Sequence, residues 1–137
     1  MTPEALAALH ACALAPERGW SAAEFADLLD SAHVFALGDA RAFALGRAAA
    51  GEAELLMLAT DPAHRRKGLA RACLAAFEAE ARARGATMAF LEVAADNTAA
   101  RALYTAAGWA EHARRSCYYS RNGGPAADAL IMARALA

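Results

Sequence analysis

Residues 54–71 read Glu-Leu-Leu-Met-Leu-Ala-Thr-Asp-Pro-Ala-His-Arg-Arg-Lys-Gly-Leu-Ala-Arg, and no other stretch so narrows what the chain can become. The apolar run over 55–60 gives a buried strand, Asp61-Pro62 fixes a turn, His64 to Lys67 form a basic loop, and a helix opens near Gly68. Strand, cationic turn and helix N-terminus in that order make an anion site. First-turn amides have no intrahelical partner, the peptide dipoles add partial positive charge, and a glycine lets the backbone approach a bulky group. A diphosphate fits such a site. The segment has neither the Gly-x-x-x-x-Gly-Lys-Ser/Thr of a nucleotide P-loop nor the Gly-x-Gly-x-x-Gly of a dinucleotide fold, which sets both aside.

The flanking chain supplies elements for both sides of this segment. Residues 3–14 carry Leu6, Leu9 and Ala13 at helical intervals. Ser21-Ala-Ala-Glu24 is a capping box that opens a second helix reaching about Asp30, with Trp20 placed to staple onto Phe25. Residues 34–37 and 42–50 read as a hairpin turning at Gly38-Asp39-Ala40-Arg41, so three antiparallel strands lead into the basic loop. From Gly68 the helix runs to Arg84, with Leu69, Cys73, Leu74, Phe77 and Ala81 on one face and Glu78 four residues before Arg82; Gly85 ends it. The strand at 88–93 then follows a strand and a helix, and such a crossover makes it parallel to 55–60. A helix over 98–107 stops at Gly108, and 109–119 and 129–133 are strands joined by a loop at 120–125.

At 137 residues the chain is read as one domain, 1–137, with a single sizeable core. Alanine makes up roughly a third of it, so the 58% apolar content overstates its oiliness. No run of 18 apolar residues exists to span a membrane. Met-Thr-Pro-Glu at the start has no basic or apolar leader character, which predicts a cytoplasmic protein. The net charge of −1 argues against a nucleic-acid surface. Cys12, Cys73 and Cys117 are odd in number and far apart, so neither a disulfide framework nor a metal site is expected.

Five places carry chemistry. Glu92 shares a strand face with Met88 and Phe90; among apolar neighbours its carboxyl would be costly to ionise and suited to act as a base, whereas at a strand end it would turn to solvent or pair with an arginine. Asn97, in Asp96-Asn97-Thr98, is either a helix cap or a ligand contact. Tyr104 lies seven residues on, about 10 Å along the same helix face, and its hydroxyl can give a proton to a leaving thiolate. Trp20 and the pair Tyr118-Tyr119 are each either packing or binding residues.

Arg65-x-x-Gly68-x-Ala70 resembles the Arg/Gln-x-x-Gly-x-Gly/Ala signature of the GNAT N-acetyltransferases. The segment from Leu91 to Trp109 resembles the Leu-Glu-Val-x-x-x-Asn-x-x-Ala-x-x-Leu-Tyr-x-x-x-Gly-Phe signature of the RimI type, the ribosomal-protein-alanine N-acetyltransferases. The resemblance implies an α/β (α+β) GNAT fold: a mixed, mostly antiparallel twisted sheet with a splayed parallel strand pair, flanked by about four helices. It implies acetyl-coenzyme A as co-substrate and no metal. By the same resemblance Glu92 is the general base and Tyr104 the general acid. Leu58, Ala59 and Thr60 meet the pantetheine arm. Arg65, Arg66, Lys67, Gly68, Leu69, Ala70 and Arg71 wrap the pyrophosphate, Asn97 contacts the cofactor, and Trp20, Tyr118 and Tyr119 border the acceptor. Two departures stand out: Ser120 replaces the customary Pro, and the strand that precedes the first helix in most members has no counterpart here. The function implied is acetyl transfer to the N-terminal α-amine of a protein, an alanine-initiated small-subunit ribosomal protein, by a monomer or weak dimer. The alternatives are a GNAT enzyme for another amine, such as a small metabolite, an antibiotic or a lysine side chain, and a non-catalytic acyl-coenzyme A binding module.

Overall fold

The computed structural model describes residues 1–14, 18–121 and 124–137, with backbone alone over 117–121 and 124–126. In chain order the elements are α1 (Pro3–Leu14), α2 (Ala22–Leu29), β1 (Val34–Asp39), β2 (Ala42–Ala49), β3 (Glu52–Thr60), α3 (Leu69–Ala83), β4 (Met88–Ala94), α4 (Thr98–Ala106), β5 (Ala110–Arg121) and β6 (Gly124–Ala135). Local chemistry sets several of the boundaries. The Ser21 hydroxyl accepts from the Glu24 amide at 3.2 Å while the Glu24 carboxylate accepts from the Ser21 amide at 3.0 Å, and Trp20 packs 5.8 Å from Phe25 in front of that cap. Where β2 turns into β3, Ala50 (φ 54°) and Gly51 (φ 82°) both lie in the left-handed region, the two-residue turn that suits a twisted hairpin. Asparagine adopts that conformation more readily than alanine. Ala50→Asn is therefore expected to stabilise the protein by about 0.5–1 kcal/mol, seen as a higher midpoint of thermal unfolding.

The six strands form one sheet in the order β1-β2-β3-β4-β6-β5, antiparallel throughout except for β3 beside β4. This is the mixed sheet with one parallel pair expected from the sequence. Its two faces bury separate cores. Ala42 and Ala44 of β2 and Ala53 and Leu55 of β3 meet α3 and α4 on one side; Phe43 and Leu45 of β2 meet Leu6 and Leu9 of α1 and Phe25 of α2 on the other. Strand alternation sorts one amphipathic sequence onto both faces. Phe25, Phe43, Phe77, Leu6 and Leu74 are fully enclosed, each such burial being worth about 1.5–3 kcal/mol. Gly46 makes room for the stack of Phe35, Phe77 and Trp109, since a Cβ there would stand 2.6 Å from the Phe77 ring.

Several boundaries differ from the sequence reading. β3 begins at Glu52, because Glu52 and Glu54 occupy the exposed positions of an alternating strand and mask its start. β6 is 12 residues long, well past the strand predicted over 129–133, with Gly124 and Pro125 beginning it where a loop was expected, whereas β5 ends at Arg121, two residues beyond its predicted end. The alignment that matters most is β3 on β4. They pair only from Glu52 and Met88 to Leu55 and Leu91. At that point β3 carries one extra residue against β2, since Leu45 faces Met57 while Gly46 faces Leu55. A bulge bends the strand that bears it, and beyond this one β3 diverges from β4.

Candidate active site

Beyond Leu55 the β4-facing edge of β3 has no ladder partner, so its peptide groups face a gap. A cleft of about 510 Å³ follows this edge. β3 contributes Met57, Leu58, Ala59 and Thr60 to it. The following loop and α3 contribute His64, Arg65, Arg66, Gly68, Leu69, Ala70 and Arg71, α4 adds Asn97 and Leu103, and α1 adds His10, Ala13 and Leu14. The structure thus brings together every residue expected at the cofactor except Lys67, whose Nζ instead lies 3.0 Å from His64 Nδ1.

The loop is shaped for an anion. Asp61 accepts from the Ala63 amide at 2.9 Å and starts a short 3-10 turn over Pro62–His64. Arg66 (φ 64°) and Gly68 (φ 73°) are both left-handed, at Arg66 with a backbone cost of about 1–2 kcal/mol, a strain characteristic of binding loops. No side chain caps α3, and its hydrogen bonding starts with Ala72 donating to the Gly68 carbonyl. The amides of Leu69, Ala70 and Arg71 are therefore left at the cleft together with three guanidinium groups, a donor set that fits a diphosphate. Asn97 is the N-cap of α4, its Oδ1 accepting from the Ala100 amide at 3.2 Å, so the cap reading holds; the same residue also lines the cleft.

The two residues matched to proton transfer lie elsewhere. Glu92 lines a groove of about 410 Å³ with Glu54, Phe90, Leu91, Arg115 and Ile131. Leu91 and Val93 point to the α3 side of the sheet, so Glu92 points to the other. The expectation of a carboxyl enclosed by apolar neighbours is corrected here: Glu92 is exposed, because α1 and α2 cover only the β1–β3 part of that face, and Arg115 Nη1 lies 3.8 Å from its Oε1. The strand-end carboxylate beside an arginine is the reading that matches. The register explains the reach: Ala129 of β6 stands opposite both Ala94 and Arg115, and its small side chain lets Arg115 extend over β6 toward β4.

Tyr104 is 8% exposed, packs 6.3 Å from Trp109, and does not line the cleft as Asn97 and Leu103 do. Burial pushes its phenol up to about 12, so it is fully protonated at neutral pH. In the unfolded chain the phenol titrates near 10. Below that pH both states keep the proton and the buried hydroxyl costs the fold nothing; between about 10 and 12 the unfolded chain ionises first and stability falls, by about 2–3 kcal/mol in all. Tyr104→Phe is expected to flatten this loss, as thermal melts from pH 9 to 11.5 would record.

Trp20 is 37% exposed, and its amide donates to His10 Nδ1 at 2.9 Å. The side chains of Tyr118 and Tyr119 lie outside the described residues; their backbone belongs to β5. Sequence reasoning missed His10, although its place one turn after Leu6 puts it on the buried face of α1, and it missed Arg115 as the partner of Glu92, which depends on a register across three strands. Among the described residues no group of three or more His, Cys, Asp or Glu side chains could hold a metal ion, and no helix is long and apolar enough to cross a membrane.

The model of the acetyltransferase (GNAT) family matches residues 6–109. The ribosomal protein bS18-alanine N-acetyltransferase of Escherichia coli strain K12 is 42% identical over 96 residues, which span 70% of this chain and 64% of that protein, just under two thirds of its length. The crystal structure of the ribosomal-protein-S18-alanine N-acetyltransferase from Escherichia coli superposes with a TM-score of 0.84 at 34% identity, over 100% of this chain and 90% of that one. Ard1 from Thermoplasma volcanium superposes with a TM-score of 0.82 at 25% identity, over 98% and 93% of the two chains.

Proposed function

The chain belongs to the acetyltransferase (GNAT) family, and from that premise we propose that it transfers the acetyl group of acetyl-coenzyme A to the N-terminal α-amine of a protein, the terminal alanine of a small-subunit ribosomal protein. The observation that carries this reading is the parting of β3 from β4 directly before the guanidinium-lined N-terminus of α3. An extended thioester needs both: a strand edge for its amide-bearing arm and a cationic helix start for its diphosphate. The identity to bS18-alanine N-acetyltransferases supports the acceptor.

Each group then has a task. Arg65, Arg66 and Arg71, with the first amides of α3, hold the diphosphate; Leu58, Ala59 and Thr60 offer peptide groups to the arm; Asn97 adds a polar contact from α4. An α-amine is mostly ammonium at neutral pH and cannot attack, so Glu92, on the open side of the sheet, takes its proton directly or through water. Backbone amides on the free edge of β3 donate to the oxygen on which charge develops. Tyr104, protonated at neutral pH, is assigned the proton for the departing thiolate, a role that requires its hydroxyl to reach the cleft lined by Asn97 and Leu103 beside it. The groove at Glu92, together with Trp20, Tyr118 and Tyr119, receives the acceptor terminus. We read residues 1–137 as one domain that acts in the cytoplasm, as a monomer or weak dimer, without binding nucleic acid.

Thiol release from acetyl-coenzyme A tests the assignment, measured against Ala-, Ser- and Met-initiated peptides, an N-blocked lysine peptide and simple polyamines. Preference for a free alanine terminus is the expected result. Release with polyamines or lysine alone would transfer the chain to another amine, and no release with any acceptor would leave a binding module.

A further inference from the structure

His10 is 6% exposed, with its ring edge-on to Phe25 at 5.6 Å and to Phe43 at 6.4 Å. Its two nitrogens differ. Nδ1 is occupied, because the Trp20 amide donates to it at 2.9 Å. A ring nitrogen that accepts carries no proton, so the proton of the neutral ring is on Nε2 and Nε2–H is a donor. Burial pushes the imidazole pKa down, which keeps the ring in this neutral form. Among the described residues Nε2 has no hydrogen-bond partner, and none of their partnerless polar side-chain atoms is sealed from the surface. His10 also lines the cleft, on the α1 wall with Ala13 and Leu14 and across from the arginine-bearing loop.

A buried ring packed edge-on against two phenylalanines, on the cleft wall and with its one remaining polar atom not sealed from the surface, offers a donor to an acceptor from outside the chain. The surroundings select that acceptor. The cationic groups come from the loop wall, whereas the α1 wall is apolar and offers one neutral N–H, which suits a neutral oxygen better than a phosphate. We propose that His10 Nε2–H hydrogen-bonds a carbonyl oxygen of the amide- and thioester-bearing arm held in the cleft, an assignment that rests on the acyl-coenzyme A reading above. One side chain then serves two purposes: Nε2 meets the cofactor arm while Nδ1 holds the backbone of Trp20 on the acceptor side.

Asparagine and glutamine separate the two nitrogens, since Asn places its polar atoms near Nδ1 and Gln near Nε2. By calorimetry His10→Asn is expected to weaken acetyl-coenzyme A binding about 3- to 10-fold, the loss of one neutral hydrogen bond, and His10→Gln to recover most of that loss. In the wild-type protein, where no variant has to fold, the ¹⁵N resonance of His10 Nε2 should move on titration with acetyl-coenzyme A. The same movement with coenzyme A assigns the partner to an arm amide; movement with acetyl-coenzyme A alone assigns it to the thioester carbonyl. An unmoved Nε2 resonance at saturation, or wild-type affinity in His10→Asn, overturns the proposal while the cleft assignment stands. Uptake of neither ligand by the wild-type protein would remove the cleft assignment, and this contact with it.

Discussion

Glu92→Gln is expected to slow acetyl transfer by at least roughly tenfold, general base catalysis being worth about 10²–10⁴-fold, while acetyl-coenzyme A affinity stays within about twofold. The substitution keeps the size and hydrogen-bonding capacity of the side chain and removes its ability to take a proton. It also removes the charge facing Arg115, but that pair is solvent-exposed on both sides, and such pairs contribute about 0–1 kcal/mol, so the fold should be nearly unaffected. The loss should therefore appear in kcat, with cofactor binding by calorimetry and the unfolding midpoint almost unchanged. Glu92 stands on β4 just past its last pairing with β3, and the cleft residues stand on β3 and α3, which is why proton removal and cofactor binding are separable here. Full turnover in the glutamine variant would take the base role away from this residue.

The largest loss of stability is expected at Glu78. This carboxylate of α3 is 4% exposed, and its Oε1 accepts from Arg134 Nη1 of β6 and lies 3.9 Å from Arg82 Nη2. Its Oε2 accepts from Trp109 Nε1 at 3.4 Å. One buried charge thus joins α3, the strand in the middle of the far half of the sheet, and the indole at the end of α4. Breaking a buried pair by removing one partner costs about 3–5 kcal/mol, and the Arg134 side chain, about a third exposed, retains some hydration, so Glu78→Ala belongs at the lower end, near 3 kcal/mol. The corresponding fall in the thermal midpoint is about 10 °C. Glu78→Gln keeps one acceptor oxygen for Arg134 but turns its NH2 toward the Trp109 N–H, so it should lose less than Glu78→Ala without matching the wild type. Equal midpoints for wild type and Glu78→Ala would show that packing alone holds this joint.

Glu78 also marks where the sequence was hard to read. Four residues before Arg82 it reads as half of a surface pair, and only the fold brings Arg134 and Trp109 to it from 56 and 31 residues away. The elements themselves were legible because local chemistry dictates them: the capping box at Ser21, the left-handed Gly85 that ends α3, and the βαβ crossover that makes β4 parallel to β3. The cleft was legible for a related reason, since most of its residues come from one contiguous segment, 57–71. The surroundings of Glu92 stay open in the sequence because alternation tells which residues share a face but not which face a helix covers, and α1 and α2 leave β4 bare on that side. The 12-residue β6 reads short from the sequence because Gly124 and Pro125 are turn formers by composition, yet at a strand's beginning a proline loses little.

The early end of the β3–β4 ladder has a consequence for motion. Amides from Leu56 to Thr60 that lack a neighbouring strand are shielded from solvent exchange only when some other acceptor engages them, so occupancy of the cleft and stiffness of this seam rise and fall together. A thioester arm lying there would act as a removable seventh strand, and the energy that holds it would be drawn from the same unfinished bonding that keeps the empty seam soft.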